Sequence, residues 1–230
     1  DAFADGNRAY VLTEWLLCIL DVSDPANPVQ IGRIENFASD RMYAANGYVY
    51  AAGWTDVDGQ WSKALQVIDV HDPAAPRVVG VSDILERAAD LYVSGRYAYV
   101  AAPIWDPDGR SFTGARLWLV DVDDTTNPTI IGSWSTEGQE GRVAVHVSGG
   151  YGYLLYGGRL WVIDGRDPAH PMEVGSCPIL GEARDVYVSG NVAYVLTDQM
   201  LRALDVTVPA HALEVVTYEV PGDADRVCIS

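Results

Sequence analysis

The string LWLVDVDDTTNP (residues 117–128) carries the pattern that decides the fold, because the chain repeats it five times. Its first half is a short apolar run ending in Asp, and it recurs as LCILD (17–21), LQVID (65–69), LWLVD (117–121), LWVID (160–164) and LRALD (201–205). Its second half recurs as SDPANP (23–28), HDPAAP (71–76), DDTTNP (123–128) and RDPAHP (166–171), while the fifth copy departs from it at 208–210. Proline presets a turn and Asp or Asn caps one, so each copy predicts a strand followed by a tight turn.

A second pattern precedes each copy and predicts a β-hairpin. Its clearest examples are LYVSGRYAYV (91–100) and VYVSGNVAYV (186–195), in which two apolar runs flank a Gly-containing break. An apolar run also follows each turn string, so every repeat holds four strands. Four antiparallel strands at this period, without helical periodicity, predict an all-β protein. We therefore expect a single domain, residues 1–230, forming a five-bladed β-propeller of four-stranded antiparallel blades.

The two ends of the chain predict how the ring closes. The repeats run over about 1–40, 41–90, 91–144, 145–185 and 186–226, with a closing strand at 227–230. The C-terminal string GDADRVCIS matches GEARDVYVS at 181–189, which encodes an innermost strand. We expect residues 227–230 to form the innermost strand of the first blade beside 9–13, with residues 1–5 displaced, because this removes an exposed sheet edge. The alternative is a piece of a longer propeller or a strand-swapped dimer.

The apolar string ending in Asp, followed by SDPxxP, resembles the LVIVD-repeat family of bacterial and archaeal proteins. The resemblance covers nearly the whole chain in five copies, and only the fifth turn, at Val208 and Pro209, departs from the pattern. It implies a β-propeller of a kind often found in exported or surface-attached proteins. The family motif marks core strands and turns, so the resemblance supplies no catalytic residues.

Composition excludes several classes of function. The chain holds 15 Lys and Arg against 32 Asp and Glu, for a net charge of −17. Such an acidic protein is repelled by phosphate backbones, so nucleic acid is not expected as a partner. No stretch of about 20 apolar residues exists, so membrane insertion is not expected either. The first residue is Asp1 rather than Met, which suggests a processed or trimmed product. An extracellular or cell-surface location suits the acidic, Tyr- and Trp-rich composition.

Metals and cofactors are not expected. Cys18, Cys177 and Cys228 match no zinc spacing, and no two histidines are spaced as zinc ligands. The five motif aspartates could suggest a ring of metal ligands, but each ends a strand just before a turn, where its carboxylate can accept backbone N–H bonds. The tyrosines that recur on the second strands are interpreted as blade packing rather than as a ligand stack; they are Tyr10, Tyr50, Tyr99, Tyr153 and Tyr194.

The innermost strands and the links between blades predict a ligand site at the mouth of the central channel. Arg41, Asp90 and Asp185 occupy equivalent positions on the innermost strands, and Arg142 and Arg184 lie in or beside the links between blades. Mixed Asp and Arg at these positions either pair with one another or bind a ligand. His146 is the one histidine on an innermost strand; it is a candidate site residue, although a packed histidine is the simpler interpretation.

Two long insertions predict a binding surface near the same mouth. They lie between the second and third strands of the second and third repeats, at 53–64 and 103–115, and they carry Trp54, Trp61, Trp105 and Phe112. Each insertion also holds a D-x-D-G string, which resembles the start of a calcium loop but lacks its continuation. Calcium at Asp56/Asp58 or Asp106/Asp108 stays the alternative to a simple hairpin closure.

Three functions follow from these features. The first is a non-enzymatic scaffold that binds an unknown protein, glycan or small molecule on the loop face around the channel. It suits the absence of any GxSxG, HExxH, P-loop or Rossmann string. The second is a carbohydrate-active hydrolase with paired carboxylates, for which Asp90 and Asp185 are the candidates. The third is a lectin that uses the loop aromatics.

Overall fold

The computed structural model describes the chain apart from a few short segments. The described ranges are 1–13, 15–57, 60–84, 86–138, 141–222 and 224–228, and within the insertion at 53–64 the side chains of 56, 57 and 60 are not described. In these ranges the only helical segment is a three-residue turn, Pro209–His211. No helix in the described part of the chain is both long enough and apolar enough to cross a membrane.

In the described part of the chain, twenty strands form five four-stranded antiparallel sheets, each made of four consecutive strands. Blade one holds β1 (Ala2–Asp5), β2 (Arg8–Leu12), β3 (Leu16–Asp21) and β4 (Val29–Glu35). Blade two holds β5 (Arg41–Ala45), β6 (Tyr48–Val57), β7 (Gln60–Asp69) and β8 (Arg77–Asp83). Blade three holds β9 (Asp90–Ser94), β10 (Tyr97–Trp105), β11 (Phe112–Asp121) and β12 (Thr129–Glu137). Blade four holds β13 (Ala144–Ser148), β14 (Tyr151–Tyr156), β15 (Arg159–Asp164) and β16 (Met172–Pro178), and blade five holds β17 (Ala183–Ser189), β18 (Val192–Thr197), β19 (Met200–Asp205) and β20 (Leu213–Glu219). The all-β, five-bladed architecture is confirmed.

The repeated apolar string forms the third strand of every blade, and its aspartate ends that strand. In each blade the aspartate Oδ1 accepts the backbone N–H two residues further on, at 2.8 to 3.0 Å. This bond closes the start of the following turn. The aspartates therefore have the turn-capping role expected from the sequence; they are Asp21, Asp69, Asp121, Asp164 and Asp205.

The core lies between the blades, in four apolar clusters that each join two consecutive blades. Side chains along a strand alternate between its two faces, so one blade packs on both neighbours. In β11, for example, Leu117 and Leu119 pack toward blade four, while Trp118 and Val120 pack toward blade two. Leu117, Leu119 and Val120 are fully buried.

A glycine in each of the first four outer strands allows the next blade's turn to approach the strand backbone. A Cβ placed on Gly32 would lie 1.7 Å from the carbonyl oxygen of Pro73, and one on Gly132 would lie 2.1 Å from that of Pro168. Gly80 and Gly175 make the same approach to the turns of blades three and five. In blade five, Val216 takes the place of this glycine and is 59% exposed.

The expected strand exchange at the ring closure is wrong. Ala2–Asp5 is not displaced, since it pairs with Arg8–Leu12 as the innermost strand of blade one. A two-residue turn joins these strands, so their pairing costs far less loop entropy than recruiting the distant C-terminus. The described C-terminal residues 224–228 form no strand, and residues 229 and 230 lie outside the described part. The C-terminal segment still contacts blades five and one. The Val227 N–H donates to Asp185 of blade five (2.7 Å), and the Arg226 guanidinium pairs with the Asp1 carboxylate beside blade one (3.3 Å).

Candidate functional site

The wall of the central channel is lined by a series of rings that contact one another in tilted pairs, one ring from each innermost strand. Consecutive ring centroids lie 4.4 to 4.8 Å apart from blade one to blade five. The series is Phe3, Tyr43, Tyr92, His146 and Tyr187. Burial raises the pKa of the Tyr43 hydroxyl, and the neighbouring Tyr92 raises it further.

His146 is packed into this series rather than placed at the mouth of the channel. It is 6% exposed and stacks between Tyr92 and Tyr187. Burial lowers the pKa of its imidazole to about 4, so the ring is neutral near pH 7. Neither ring nitrogen has a hydrogen-bond partner among the described residues. His146 thus lacks the oriented partner that a catalytic base needs.

Backbone N–H bonds to Asp90 join blades three and four, and those to Asp185 join blade five to the C-terminal segment. The Asp90 carboxylate accepts the Leu91 N–H (3.0 Å) and, across the blade boundary, the Val145 N–H (2.8 Å). The Asp185 carboxylate accepts the N–H of Val186 (3.0 Å) and of Val227 (2.7 Å). Each carboxylate therefore has both oxygens engaged.

Burial dominates the electrostatics of these two aspartates. It raises the pKa of Asp90 to about 6 and raises that of Asp185 as well, although the backbone N–H bonds act in the opposite direction. Asp1 makes the same cross-boundary bond, to the Met42 N–H at 3.1 Å. At this position Asp1 and Asp90 therefore connect consecutive blades, and Asp185 connects blade five to the C-terminal segment.

A cavity of about 1010 Å³ opens at the channel mouth, where the innermost strands meet the links between blades. Its wall holds charged groups of both signs beside a few apolar side chains. The charged residues are Arg41, Asp90, Arg142, Glu182, Arg184, Asp185, Asp225 and Arg226. The apolar side chains include Pro103, Phe112 and Val143. Six residues expected at a ligand site therefore share this one cavity: Arg41, Asp90, Phe112, Arg142, Arg184 and Asp185.

Two arginines of the mouth hold one carboxylate of the C-terminal segment. Arg142 and Arg184 each donate an Nη1–H to Oδ1 of Asp225, both at 3.1 Å. The Asp225 side chain is 66% exposed and that of Arg184 is 16% exposed. Arg41 is used differently, since its Nε donates to the Ala89 carbonyl (2.5 Å) and its Nη1 to the Asp40 carbonyl (2.8 Å).

The hairpin of the third blade extends toward this mouth. Trp105 and Phe112 stack with ring centroids 4.1 Å apart, and Phe112 lines the cavity. Asp106 closes the tip, because its carboxylate accepts the Arg110 N–H (2.7 Å) and the Ser111 hydroxyl (2.8 Å). These bonds give Asp106 a turn role. Asp58 lies outside the described residues, and so does the side chain of Asp56.

The hairpin of the second blade forms a separate aromatic pocket with blade one. Trp54 and Trp61 surround a cavity of about 410 Å³ together with Trp15, whose ring meets Trp61 edge to face at 5.7 Å. Asp40 lies on the wall of this pocket and its neighbour Arg41 on that of the channel mouth, so the two cavities adjoin.

The loop aromatics are thus divided between two cavities, and Trp15 was not expected at either. Trp15 sits in the short turn between β2 and β3, and an exposed tryptophan in such a turn was the available signal. Asp225 and Arg226 line the channel mouth, as their place beside the innermost-strand pattern predicts, but the segment that holds them forms no strand. Among the described residues, no group of three or more His, Cys, Asp or Glu side chains is arranged to hold a metal ion.

Comparisons with solved structures show the fold. A functionally unknown protein from Desulfotomaculum acetoxidans is similar at a TM-score of 0.53 and 12% identity, over 94% of this chain and 80% of that one. A periplasmic gluconolactonase from Pseudomonas aeruginosa is similar at a TM-score of 0.54 and 15% identity. The match covers 97% of this chain and 85% of that one. A hypothetical selenium-binding protein from Sulfolobus tokodaii is similar at a TM-score of 0.67 and 14% identity. The match covers 94% of this chain and 60% of that one.

The sequence comparisons identify the family. No curated protein matches the chain. The model of the LVIVD repeat matches residues 3–36, 87–106, 142–178 and 180–220, which together are more than half of the chain. These segments lie in four of the five blades and include the repeated apolar strand in three of them. The chain therefore belongs to the LVIVD repeat family.

Proposed function

We propose that this protein is a non-enzymatic binding scaffold whose small-molecule ligand enters the mouth of the central channel. The observation that carries the proposal is the cavity of about 1010 Å³ at this mouth, where charged side chains from several blades converge beside Phe112. Ligand sites are typically cavities of roughly 300–1,000 Å³ that combine apolar walls with a few convergent polar groups. The rigid blades below supply the fixed frame that such a site needs.

Binding fits the charged groups better than hydrolysis does. A glycosidase needs one carboxyl that donates a proton and another that attacks or activates water. Asp90 and Asp185 each accept backbone N–H groups on both oxygens, which commits these two carboxylates to structural connections. His146 is buried between two tyrosines and has no orienting partner among the described residues. The mouth therefore offers recognition groups without an available acid–base pair.

The test is equilibrium dialysis of the purified protein against a mixture of small metabolites, read by mass spectrometry. We expect retained ligands, and we expect Phe112→Ala to weaken their binding about tenfold, because that ring covers apolar ligand surface worth roughly 1.4 kcal/mol. Trp61→Ala is the matched control, since it removes an exposed ring from the equivalent hairpin of the neighbouring blade. Equal loss in both variants, or no retained ligand, would contradict the proposal.

A second candidate function, carbohydrate binding, rests on the aromatic pocket. Trp15, Trp54 and Trp61 are 56%, 40% and 51% exposed around one cavity. Exposed indole rings offer flat apolar faces with an N–H at the edge, which suits the mixed surface of a sugar ring. Lys63 Nζ already lies 5.3 Å from the Trp54 centroid, which disfavours a cationic ligand there.

A glycan array with the wild-type chain and Trp61→Ala tests this function. We expect selective glycan signals that fall about tenfold in the variant, while Phe112→Ala leaves them unchanged. Signals that depend on Phe112 instead of Trp61 would assign the glycans to the channel mouth and remove the lectin role from the aromatic pocket.

We also propose that this binding takes place outside the cell or at its surface, which is what the LVIVD repeats and the acidic composition favour. Fractionation of the native host with an antibody against the chain tests the location. Recovery from the cytosolic fraction alone would contradict it.

A further inference from the structure

The ligand class of the channel mouth follows from a carboxylate that already sits there. We propose that Arg142 and Arg184 form a binding site for the carboxylate of a small organic acid, and that Asp225 of the C-terminal segment occupies this site in the absence of ligand. The inference rests on the proposed binding function and specifies its ligand. It assigns to Asp225 the role of an internal competitor.

The geometry shows one carboxylate recognised by two arginines from distant parts of the chain. Arg142 lies in the link between blades three and four, and Arg184 lies at the start of the innermost strand of blade five. Both Nη1 atoms reach the same oxygen of Asp225, at 3.1 Å. The Asp225 carboxylate group therefore stands where the carboxylate of an external acid would bind.

The internal contact is weak enough to be displaced. Charge-assisted N–H···O bonds are typically about 2.7–2.9 Å long, and a single arginine often binds a carboxylate through two parallel bonds. Here each arginine uses a single bond of 3.1 Å, and Asp225 and Arg142 are 66% and 50% exposed. Exposed ion pairs of this kind contribute about 0–1 kcal/mol. The carboxylate of a free ligand, if it forms two parallel bonds with one arginine, can contribute more binding free energy than this internal contact does.

Local charge favours an incoming anion once Asp225 moves away. Four of the chain's few basic residues line the mouth: Arg41, Arg142, Arg184 and Arg226. Arg226 is already paired with Asp1, whereas Arg142 and Arg184 share Asp225 as their carboxylate. Displacement of Asp225 would leave these two guanidinium groups without the carboxylate that they share, although the whole chain carries −17.

The same charges select a carboxylate over more highly charged anions. A dianionic phosphate would meet the nearby carboxylates and the repulsion of the whole acidic protein more strongly than a monoanion would. Phe112, Pro103 and Val143 line the same cavity and can cover the carbon skeleton of an organic acid. A compact aromatic or aliphatic monocarboxylate matches both parts of the wall.

Calorimetric titration with four probes tests the inference: benzoate, its neutral isostere benzamide, propionate and inorganic phosphate. We expect benzoate to bind more tightly than propionate, and benzamide not to bind. Arg142→Gln should weaken benzoate about tenfold, the value of one charge-assisted bond. Asp225→Asn should instead tighten benzoate about two- to sixfold, because it weakens a tethered competitor whose contact contributes about 0–1 kcal/mol. This opposite sign distinguishes an internal competitor from a merely structural aspartate.

Controls separate the possible failures. Arg33→Gln removes an exposed arginine of blade one that pairs with Glu35 away from the channel mouth, and it should change nothing. Arg184→Lys keeps the positive charge if Arg142→Gln does not fold, and should weaken benzoate as well. If phosphate binds more tightly than benzoate, the carboxylate assignment is wrong. If retained metabolites depend on Phe112 but neither Arg142→Gln nor Asp225→Asn changes benzoate binding, the proposed binding function stands and the arginine site falls.

Discussion

Replacing Gly32 by Ala should lower the free energy of unfolding by about 2–3 kcal/mol. The added Cβ would lie 1.7 Å from the Pro73 carbonyl oxygen and 2.8 Å from its carbonyl carbon, so strand and turn must separate. Backbone atoms cannot change rotamer to avoid the added Cβ, as a flexible side chain can. Overpacking of this kind typically lowers the free energy of unfolding by about 1–3 kcal/mol. In a domain of this size that corresponds to a fall of roughly 5–10 °C in Tm.

The measurement is urea denaturation of the wild-type chain and of Gly32→Ala, followed by tryptophan fluorescence. Val216→Ala is the matched control, because Val216 holds the equivalent position in blade five and is exposed. We expect that control to change stability by less than about 1 kcal/mol. If Gly32→Ala were as stable as the control, the turn of blade two would not press against the strand of blade one, and the account of blade spacing would fail.

These glycines mark the limit of what the sequence reveals about the fold. The alternation of apolar runs and Asp/Pro turns is local, so it predicts the strands, their order and the blade count. The approach of Gly32 to Pro73 is not local, since the partners belong to different repeats. A glycine within a short apolar run has several explanations in sequence, and only the packed blades identify this one.

The ends of the chain show a second limit. Residues near Asp1 and near Arg226 fit the same innermost-strand pattern, so sequence similarity cannot rank them. The structure favours the N-terminal segment because a two-residue turn connects it to its partner strand. Which copy pairs is decided by chain connectivity, a property that the repeat pattern does not contain.

The candidate site was predictable in its location but not in the roles of its residues. Arg142, Arg184 and Asp185 were expected at the channel mouth from their place beside the innermost strands, and they do line the cavity there. That Asp185 and Asp90 bind backbone N–H groups of the following segment depends on contacts 42 and 55 residues away. A charged residue near a mouth looks the same in sequence whether it binds a ligand or connects two blades.

Asp90 should make the protein less stable as the pH rises from about 4 to 7. Burial raises the pKa of its carboxyl to about 6, above the roughly 3.9 of an exposed Asp. Between these values the folded state binds the proton and the unfolded state does not. A raised carboxyl pKa therefore stabilises the fold fully below about pH 4, and this contribution is lost as the pH rises through 6.

The variant Asp90→Asn isolates this effect, because an amide stays neutral over the whole range. At pH 4 we expect the variant to be less stable by about 1 kcal/mol, since an amide has one acceptor oxygen for the N–H groups of Leu91 and Val145. By pH 7 the difference should have moved in favour of the variant by about 2 kcal/mol. Urea denaturation at unit steps of pH from 4 to 7 measures this change directly.

Asp24→Asn provides a control of the opposite sign. The Asn27 side chain and the Ala26 N–H hold the pKa of the exposed Asp24 carboxyl below its usual range. That carboxyl is ionised in both folded and unfolded states between pH 5 and 7, so its variant should keep a constant difference from wild type there. Its stabilising contribution should fade only on acidification below about pH 4. If Asp90→Asn also kept a constant difference from pH 4 to 7, Asp90 would be as well solvated as a surface carboxylate, and its place as a buried connection between blades three and four would be wrong.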